Sequence, residues 1–420
     1  MYQESLTLAQ ECLTHKERFY LLEQINPPIE NLVGGNKLFR FLTAGESHGQ
    51  GLVAIIEGVP AGLALNEDYI ARDLVRRQGG YGRGARMAIE QDRAEIASGV
   101  RHGMTMGSPI ALLILNRDWE NWKEAMSVTS VEQEVEPVTR LRPGHADLAG
   151  TMKYNLDDVR PILERASARE TASRVAVGAV ARKLLAEFGI EIHSHTVCIG
   201  GHWAKQVEKI DWSKVERSPV RCADRRAEKA MLAAIDAAKK AGDSLGGIFE
   251  VIAGGVPIGL GSHVHWDRRL GGRIARAMMS INAVKGVEIG AGFNEASLPG
   301  SQVQDIIELG ARGGWRHATN RAGGIEGGIS NGEPIVVRAV VKPIPTMSQP
   351  LPSVDLRTGK KVEAHFERSD ICVVPAAGVI GEAMLAIILA EAMLEKFGGD
   401  HMDETLRNYR GYLKSIGPRK

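Results

Sequence analysis

Two short segments occur twice in the same order, and this repeat constrains the fold more than any other feature of the chain. EGVPAGL at 57–63 returns as GGVPIGL at 254–260, and GVRHGMTMGSPI at 99–110 aligns with GIEGGISNGEPI at 324–335. The second pair keeps glycine at three matched positions and proline at a fourth. Chance turn chemistry is the alternative, since glycine and proline mark ordinary turns. The matched spacing favours a duplication.

The two predicted halves run from about residue 38 to 190 and from about 230 to 400. In each, an alternating strand precedes the first repeated segment and a helix follows it, with Asn66 or Asp267 as the predicted N-cap. Further apolar runs predict strands at PIALLIL, IEIHSHTVCI, IFEVIA and PIVVRAVV. We therefore expect an α+β fold with helical layers sandwiched between mostly antiparallel β-sheets, and an internal pseudo-duplication.

Two long helices are expected between the sheets. Ser167 and Glu170 form the S-x-x-E pattern of a capping box, which opens a helix that Gly189 ends. Small residues cover much of this helix, so another element can pack closely against it. A second helix near 377–397 is apolar on nearly every side, as expected for a helix buried among others.

Composition excludes several classes of protein. The 420 residues carry a formal net charge of +1, which does not provide the basic footprint of a nucleic-acid-binding protein. The four cysteines lie far apart without C-x-x-C spacing, which argues against disulfides and cysteine zinc sites. We expect no apolar run of the roughly 20 residues that span a bilayer, and the N-terminus is too polar for a signal peptide. A cytoplasmic protein without nucleic-acid or membrane partners is expected.

The chain is expected to have three parts. Residues 1–37 form an N-terminal extension, residues 38–400 a single domain, and residues 401–420 a basic C-terminal tail. A Pro–Pro pair and a Gly–Gly pair break the chain just before the first predicted strand.

A glycine-rich loop, RRQGGYGRGAR, carries Arg76, Arg77, Arg83 and Arg86 with no acidic residue between them. Four guanidinium groups repel one another, whereas an anionic ligand can be clamped by them. A solvated arginine face is the alternative. The loop follows a helical stretch and not a strand, so it is no dinucleotide-binding turn, and the sequence contains no phosphate-binding P-loop. The loop favours a small, multiply anionic ligand.

Two histidines lie in glycine-containing turns, His48 in TAGESHGQG and His145 in RPGHAD. A lone turn histidine is usually structural, but two of them, each beside arginine or serine, favour acid–base chemistry. Two His-x-His pairs, HSH and HVH, could each share a strand face towards a metal. No third ligand is evident for either pair, so no metal site is predicted.

The motifs together resemble those of the chorismate synthase family. They are GESHG, GVPAGL, RRQGGYGRGARM, RPGHADLAG, ERASARETASR, SINAVKGVEIG, NRAGGIEGGIS, KPIPT and RSD followed by GEAM, spread over about residues 38–400. The resemblance implies a catalytic domain with helical layers between antiparallel sheets. It implies a lyase that converts 5-enolpyruvylshikimate 3-phosphate into chorismate and phosphate by 1,4-elimination. It also implies a need for reduced FMN without net redox change, and a homotetramer.

The resemblance assigns roles to individual residues. His48 would neutralise the leaving phosphate, His145 would favour the required ionic form of the reduced flavin, and Asp370 would assist removal of the ring proton. The substrate would be bound by Ser47, Arg77, Arg83, Arg86, Arg142 and Arg169. Reduced FMN would be held by Arg165, Ala166, Ser167, Asn282, Ala283, Gly327, Lys342, Pro343, Ile344, Pro345, Thr346 and Arg368.

Two other functions stay open from the sequence. One is a bifunctional enzyme that also oxidises NADPH to reduce the flavin, and the other is a flavin- or anion-binding protein without catalysis. Ile371 follows the RSD segment where many relatives carry a smaller residue or proline, and the 37-residue leader is unusual. No added reductase module is recognised in the sequence, so we expect a monofunctional enzyme that receives reduced FMN from elsewhere.

Overall fold

The structure, a computed structural model, describes residues 39–84, 91–132, 135–207, 209–310, 314–367 and 370–417. These residues belong to one unit of the chain, Phe39–Lys420. The predicted extension, residues 1–37, lies outside the described residues. The three-part division of the chain therefore stays a prediction.

The first half of the described chain builds a four-stranded sheet and the helices that cover it. Its elements are β1 Arg40–Gly45, β2 Gly51–Glu57, α1 Glu67–Gln78, β3 Glu95–Ser98, β4 Val100–Arg101, β5 Met104–Thr105, β6 Ile110–Leu115, α2 Asp147–Tyr154, α3 Arg160–Ala166 and α4 Thr171–Ala186. Sheet A has the order β1-β2-β6-β3 with antiparallel neighbours. Its inner face carries buried Leu52, Ile56 and Leu112, because alternate residues of a strand point to the same side.

The second half builds a five-stranded sheet from later segments. Its elements are β7 Glu191–Ile199, β8 His202–Trp203, α5 Trp212–Arg217, α6 Arg225–Ala241, β9 Gly247–Gly254, α7 Leu270–Met279, β10 Val284–Ile289, α8 Gly300–Val303, β11 Ile307–Leu309, β12 Trp315–His317, β13 Ile325–Glu326, β14 Ile329–Ser330, β15 Ile335–Val341, β16 Pro352–Val354, β17 Lys361–Glu363, α9 Val374–Phe397 and α10 Met402–Ser415. Sheet B has the order β10-β15-β9-β7-β8, again antiparallel.

The two sheets enclose the long helices. Helix α4 packs on sheet A, helix α9 packs on sheet B, and the two helices pack against each other. Helix α9 is buried along nearly its whole length, and Val177, Val180 and Leu184 of α4 are fully buried. The predicted helical layers between antiparallel sheets are thus confirmed.

The repeated segments make the same contacts in both halves. In the first half, the hydroxyl of Thr105 accepts from Leu63 N at 2.9 Å and donates to the Pro60 carbonyl at 2.6 Å. In the second, the hydroxyl of Ser330 accepts from Leu260 N at 2.8 Å and donates to the Pro257 carbonyl at 2.6 Å. One hydroxyl therefore ties each V-P-x-G-L turn to the later hairpin, which supports a duplication over chance turn chemistry.

The matched glycines of the second repeated segment adopt the same backbone conformation in both halves. Those at 99, 103 and 107 have φ of +85°, +76° and +75°, and those at 324, 328 and 332 have φ of +78°, +93° and +96°. Glycine adopts this region without the Cβ penalty that other residues carry. Strand β7 occupies the place in sheet B that β1 occupies in sheet A, so the second half begins near residue 191 and not at the predicted 230.

Some predicted helix boundaries were wrong. Asn66 does cap α1 by accepting from Tyr69 N, but Asp267 lies inside a 3₁₀ turn, and α7 begins only at Leu270. Ser167 caps a 3₁₀ turn by accepting from Arg169 N. The Glu170 carboxylate completes no capping box, because it accepts instead from Arg174 at 2.7 Å.

Two other expectations about helices also change. Helix α4 ends at Ala186, and Gly189 follows in a turn with φ of +75°. Helix α9 is long and apolar enough to cross a membrane, contrary to the expectation that no such run exists, but almost all of it is buried inside the protein. A helix packed on all sides needs the same apolar surface as a membrane span.

The segment predicted as a C-terminal tail contains α10, whose Tyr409 packs edge-on against Phe188 and Phe397.

Candidate active site

A cavity of about 710 Å³ lies at the N-terminal ends of α4 and α9 and is lined by loops of both halves. Its size is typical of small-molecule sites, which span roughly 300–1,000 Å³. The dipoles of both helices favour negative charge at these ends. Among the described residues, six arginine and lysine side chains line it: Arg77, Arg83, Arg142, Arg169, Lys285 and Lys342. Three carboxylates of the same described part join them: Asp118, Glu367 and Asp370. The lining is therefore predominantly cationic.

His48 lies in the tight loop between β1 and β2 and is held by Glu164 of α3. One Glu164 oxygen accepts from the His48 backbone N–H at 2.7 Å, and the other lies 2.9 Å from Nδ1 of the ring. Because a carboxylate only accepts, Nδ1 carries the proton in this contact. Burial raises the pKa of Glu164, but its interactions with His48 and Arg160 together lower it more, so the pKa lies below its usual value.

An indole ring covers one face of His48. Trp122 stacks on the imidazole with centroids 4.0 Å apart and an angle of 29° between the planes. The Trp122 Nε1–H donates to Asp118 at 3.1 Å, and the guanidinium of Arg160 lies 5.1 Å from the indole. The loop, α3 and the 3₁₀ turn before Trp122 together fix the plane of the His48 ring.

His145 is backed by a second buried carboxylate. Its Nδ1 contacts Asp147, the first residue of α2, and the Arg142 guanidinium grips the same carboxylate with two hydrogen bonds of 2.9 Å. Burial raises the pKa of Asp147, yet the hydrogen bonds from His145 and Arg142 hold it well below its usual range. The RPGHAD turn thus brings an arginine, a histidine and an ionised aspartate together at the cavity wall.

Arg77 and Arg169 share one buried counter-ion behind the wall. Asp92 contacts both guanidinium groups, while Arg77 also donates to the hydroxyl of Thr171 at 3.0 Å. Burial, together with repulsion from Arg83 and Arg169, lowers the pKa of Arg77 to about 10 despite the attraction of Asp92. A guanidinium held among cations in this way is stabilised by an added anion.

The arginine loop is joined to the segment before α9. Arg83 pairs with Asp370 at 3.0 Å, and Gly84 N donates to the same carboxylate at 2.6 Å. Gly82 O accepts from the backbone N–H of Ile371 at 2.7 Å. These contacts bring a carboxylate from the second half to the cationic loop of the first half.

The opposite wall comes from the second half. Asn282 donates through Nδ2 to the Ala166 carbonyl at 3.0 Å, while its buried Oδ1 has no hydrogen-bond partner among the described residues. Ala283 has φ of +66°, a strained conformation of the kind that clusters at functional sites. Burial, followed by repulsion from Lys285, lowers the pKa of Lys342. Two lysines and an amide whose oxygen has no partner among the described residues therefore lie on this side of the cavity.

The family of this chain follows from its similarity to known proteins. The model of the chorismate synthase family matches residues 39–394. The chain belongs to the chorismate synthase family. The chorismate synthase of Moorella thermoacetica is 58% identical over 385 residues, which are 90% of this chain and 100% of that protein. The chorismate synthase of Aquifex aeolicus is 55% identical over 395 residues, covering 90% of this chain and 98% of that protein.

A solved structure supports the same membership of the chorismate synthase family. A crystal structure of chorismate synthase superimposes with a TM-score of 0.74 at 47% sequence identity and covers 91% of this chain and 99% of its own. This likeness includes the helices between antiparallel sheets described above. The relative and the present chain therefore share a fold over nearly the whole length of the relative.

Most residues predicted from the chorismate synthase resemblance line the cavity. They are Ser47, His48, Arg77, Arg83, Arg142, His145, Ala166, Ser167, Arg169, Asn282, Ala283, Lys342, Ile344, Pro345, Thr346 and Asp370. Arg165 does not line it and donates to Thr43 and Gly45 of β1. Gly327, in the turn between β13 and β14, and Pro343 are also not part of its lining. Arg86 and Arg368 lie outside the described residues.

Four residues that shape this chorismate synthase site were missed in the sequence. Glu164 and Trp122 hold His48, Asp92 joins two arginines, and Asp147 backs His145. Asp147 lies two residues after His145 in the RPGHAD turn, so the sequence itself indicates this contact. The other three come from distant segments that only the folded chain brings together. In the described part of the chain, no three His, Cys, Asp or Glu residues are grouped so that they could hold a metal ion.

Proposed function

We propose that this cavity catalyses the chorismate synthase reaction, the 1,4-elimination of phosphate from 5-enolpyruvylshikimate 3-phosphate, with reduced FMN bound beside the substrate. The observation that carries the proposal is one cationic cavity lined by two carboxylate-backed histidines, in a chain of this family. The substrate has two carboxylates and a phosphate, so it supplies the anions that the crowded arginines favour. Arg77, Arg83, Arg142 and Arg169 are proposed to bind it, with Ser47.

The residues facing the arginines fit a flavin phosphate and its ring. The orphaned Oδ1 of Asn282 can accept a hydrogen bond from a ring N–H. Lys342 and Lys285 offer cationic partners for a phosphate, and Ala166 and Ala283 leave room for a flat ring. We propose that these residues, with Ser167 and the segment from Lys342 to Thr346, hold reduced FMN. When bound, reduced FMN supplies transient electron donation without net redox change.

Other side chains of the cavity neutralise charge and hold or move protons during the reaction. The C–O bond breaks with its electron pair on the phosphate, and the arginines with protonated His48 neutralise the growing charge. His145, backed by Asp147, is proposed to hold a proton near the flavin. Asp370, kept as a carboxylate beside Arg83, is proposed to assist removal of the ring proton. No observation favours the NADPH-oxidising or the non-catalytic alternative.

Replacing His48 tests this proposal. In an anaerobic assay with photoreduced FMN, His48→Ala should lower turnover by roughly 10²–10⁴ while FMN binding survives, because the leaving phosphate loses its proton donor. His195→Ala is the matched control, since His195 pairs with Glu250 in sheet B and does not line the cavity. Unchanged turnover in His48→Ala would contradict the assigned role.

A homotetramer and a cytoplasmic location complete the proposal. The outer face of sheet A supports self-association, because it exposes apolar side chains where antiparallel sheets usually present polar ones to water. These residues are Leu42, Val53, Ile55 and Leu115. Light scattering of the purified protein tests the tetramer, and a monomer at micromolar concentration would contradict it.

A further inference from the structure

A single carboxylate controls both the backbone and the ring of His48. Glu164 accepts from the His48 N–H at 2.7 Å and from Nδ1 at 2.9 Å, and its own side chain is fully buried. Glu164 does not line the cavity, whereas His48 does. The Nδ1 edge of the ring is therefore held by Glu164, while His48 itself forms part of the cavity wall.

We propose that Glu164 is a positioning residue for the elimination: through its hydrogen bonds to the backbone N–H and Nδ1 of His48, it fixes the ring with Nε2 towards the leaving phosphate. This inference rests on the proposed function. In the step, the C–O bond electrons pass to the phosphate, and the Nε2 proton passes to a phosphate oxygen. His48 regains a proton from water before the next turnover, and the proton lost from the ring carbon balances it.

Charge and packing around the ring support this assignment. The Glu164 carboxylate accepts from both the backbone and the ring of His48, so two hydrogen bonds define the ring orientation. Arg160 donates to Glu164 at 3.2 Å and to Glu367 at 3.0 Å, so its positive charge is shared between two acids. Trp122 adds an aromatic face, which also attracts a cation, and Asp118 holds that indole.

Glu164→Gln removes the negative charge and keeps the shape of the side chain. We expect kcat to fall about 10- to 100-fold, the range found for the outer partners of metal-binding histidines, with KM and FMN affinity within about twofold. A role confined to folding would not split kcat from KM in this way.

A double-mutant cycle separates action through His48 from a general structural effect. Adding Glu164→Gln to His48→Ala should change kcat less than twofold, because the ring that Glu164 positions is already gone. A further tenfold loss in that background would overturn the proposal. So would a kcat within twofold of the parent in the single variant.

The same chain provides a matched control. His195 pairs with Glu250 at 2.9 Å, and Glu250 accepts from Arg338, so the trio repeats the His48–Glu164–Arg160 arrangement in sheet B. Glu250→Gln should leave kcat within about twofold. An equal loss of kcat in Glu250→Gln would assign the effect of Glu164→Gln to stability, against the proposal.

A readout without turnover keeps this inference distinct from the proposed function. Deuterium exchange at C2–H of His48, followed by mass spectrometry over a pH series, reports the charge of the ring. Glu164→Gln should change this profile, because the ring loses the carboxylate that holds Nδ1. An unchanged profile would overturn the role of Glu164, whereas a parent without chorismate formation would overturn only the proposed function.

Discussion

At the scale of single residues, the cavity is built from charges that are paired before any ligand arrives. Each histidine has a buried carboxylate at Nδ1, and two arginines share Asp92. Pairing lets these groups be buried, because an unpaired buried charge is very costly. The arrangement is preorganised, so the chain does not have to reorder these side chains when phosphate begins to leave.

Arg83 is expected to act on the substrate more than on the flavin. Arg83→Ala should raise the KM for 5-enolpyruvylshikimate 3-phosphate about 10- to 100-fold, because a charge-assisted hydrogen bond to an anion contributes about 1.5–3 kcal/mol. FMN affinity, measured by fluorescence titration, should change less than threefold. Arg72→Ala is the control, as Arg72 lies outside the cavity over the ring of Tyr69. Equal losses in both titrations would indicate misfolding instead.

The sequence predicted the cavity residues better than their partners. His48, His145 and Asp370 stood in recognisable motifs, and all three line the cavity. Glu164 lies 116 residues from His48, and nothing local to either motif pairs them. Long-range pairing depends on the path of the whole chain, so a local pattern cannot supply it.

At the scale of elements, the close approach of α4 and α9 sets the geometry of the cavity, because both helices begin at its wall. A Cβ atom added at Gly178 of α4 would overlap Ala383 of α9. This close contact between α4 and α9 explains why the sequence of α4 carries many small residues. A methyl group there has no space unless the helices separate.

Gly178→Ala is expected to destabilise the protein by about 1–3 kcal/mol, the usual cost of overpacking a core. Urea unfolding followed by circular dichroism measures the loss. Gly272→Ala is the matched control, because Gly272 lies in the exposed part of α7 with no atom closer than 4.0 Å to the added Cβ. That change should be neutral or stabilising by up to about 1 kcal/mol. Equal loss in both variants would contradict the tight crossing.

The apolar periodicity of the sequence predicted which segments form helices and strands, but it did not predict the residues at which these elements begin and end. Helix α9 and the four strands read from apolar runs are present. Asp267 failed as a cap because the chain makes a separate 3₁₀ turn before α7. Such a turn depends on tertiary contacts, including the hydrogen bond from Leu270 N to Gly328 O at 2.9 Å.

At the scale of the whole molecule, a buried charge network joins elements of both halves. Glu382 of α9 is fully buried and accepts from Arg76 of α1 at 2.7 Å, Arg182 of α4 at 2.9 Å and Ser194 of β7 at 2.7 Å. Burial raises the pKa of Glu382, but Arg76, Arg182 and Arg221 lower it more, so its pKa lies below the ordinary value.

Glu382→Gln should cost about 3–5 kcal/mol at pH 7, because it removes the fully buried carboxylate that Arg76, Arg182 and the buried Arg221 share. A depressed carboxyl pKa stabilises the fold above the unfolded pKa of about 4.3, and this stability is lost as pH falls. The difference between parent and variant in denaturant unfolding should therefore shrink below pH of about 4.3.

A surface pair on the same helix provides the comparison for Glu382. Glu391 contacts Arg273 at 3.0 Å and is partly exposed, so Glu391→Gln should cost less than about 1 kcal/mol. A loss in Glu382→Gln no larger than this, or a difference from the parent that does not change with pH, would contradict the role of the network.

The duplication could be predicted from the repeated turns because their glycines need positive φ in both halves. Its boundary could not, because β1 and β7 share a place in their sheets without sharing a motif. The cavity between the halves could not be predicted from the sequence of either half alone. Its position depends on how the two sheets close over α4 and α9.

Turnover per flavin tests the central claim most directly. The parent protein is mixed anaerobically with 5-enolpyruvylshikimate 3-phosphate and one photoreduced FMN per active site, without NADPH, and chorismate and phosphate are counted. The account predicts many chorismate molecules per flavin, one phosphate for each, and a flavin that remains reduced. A folded protein that binds FMN but forms no chorismate, or that consumes one reduced flavin for each product, would contradict it.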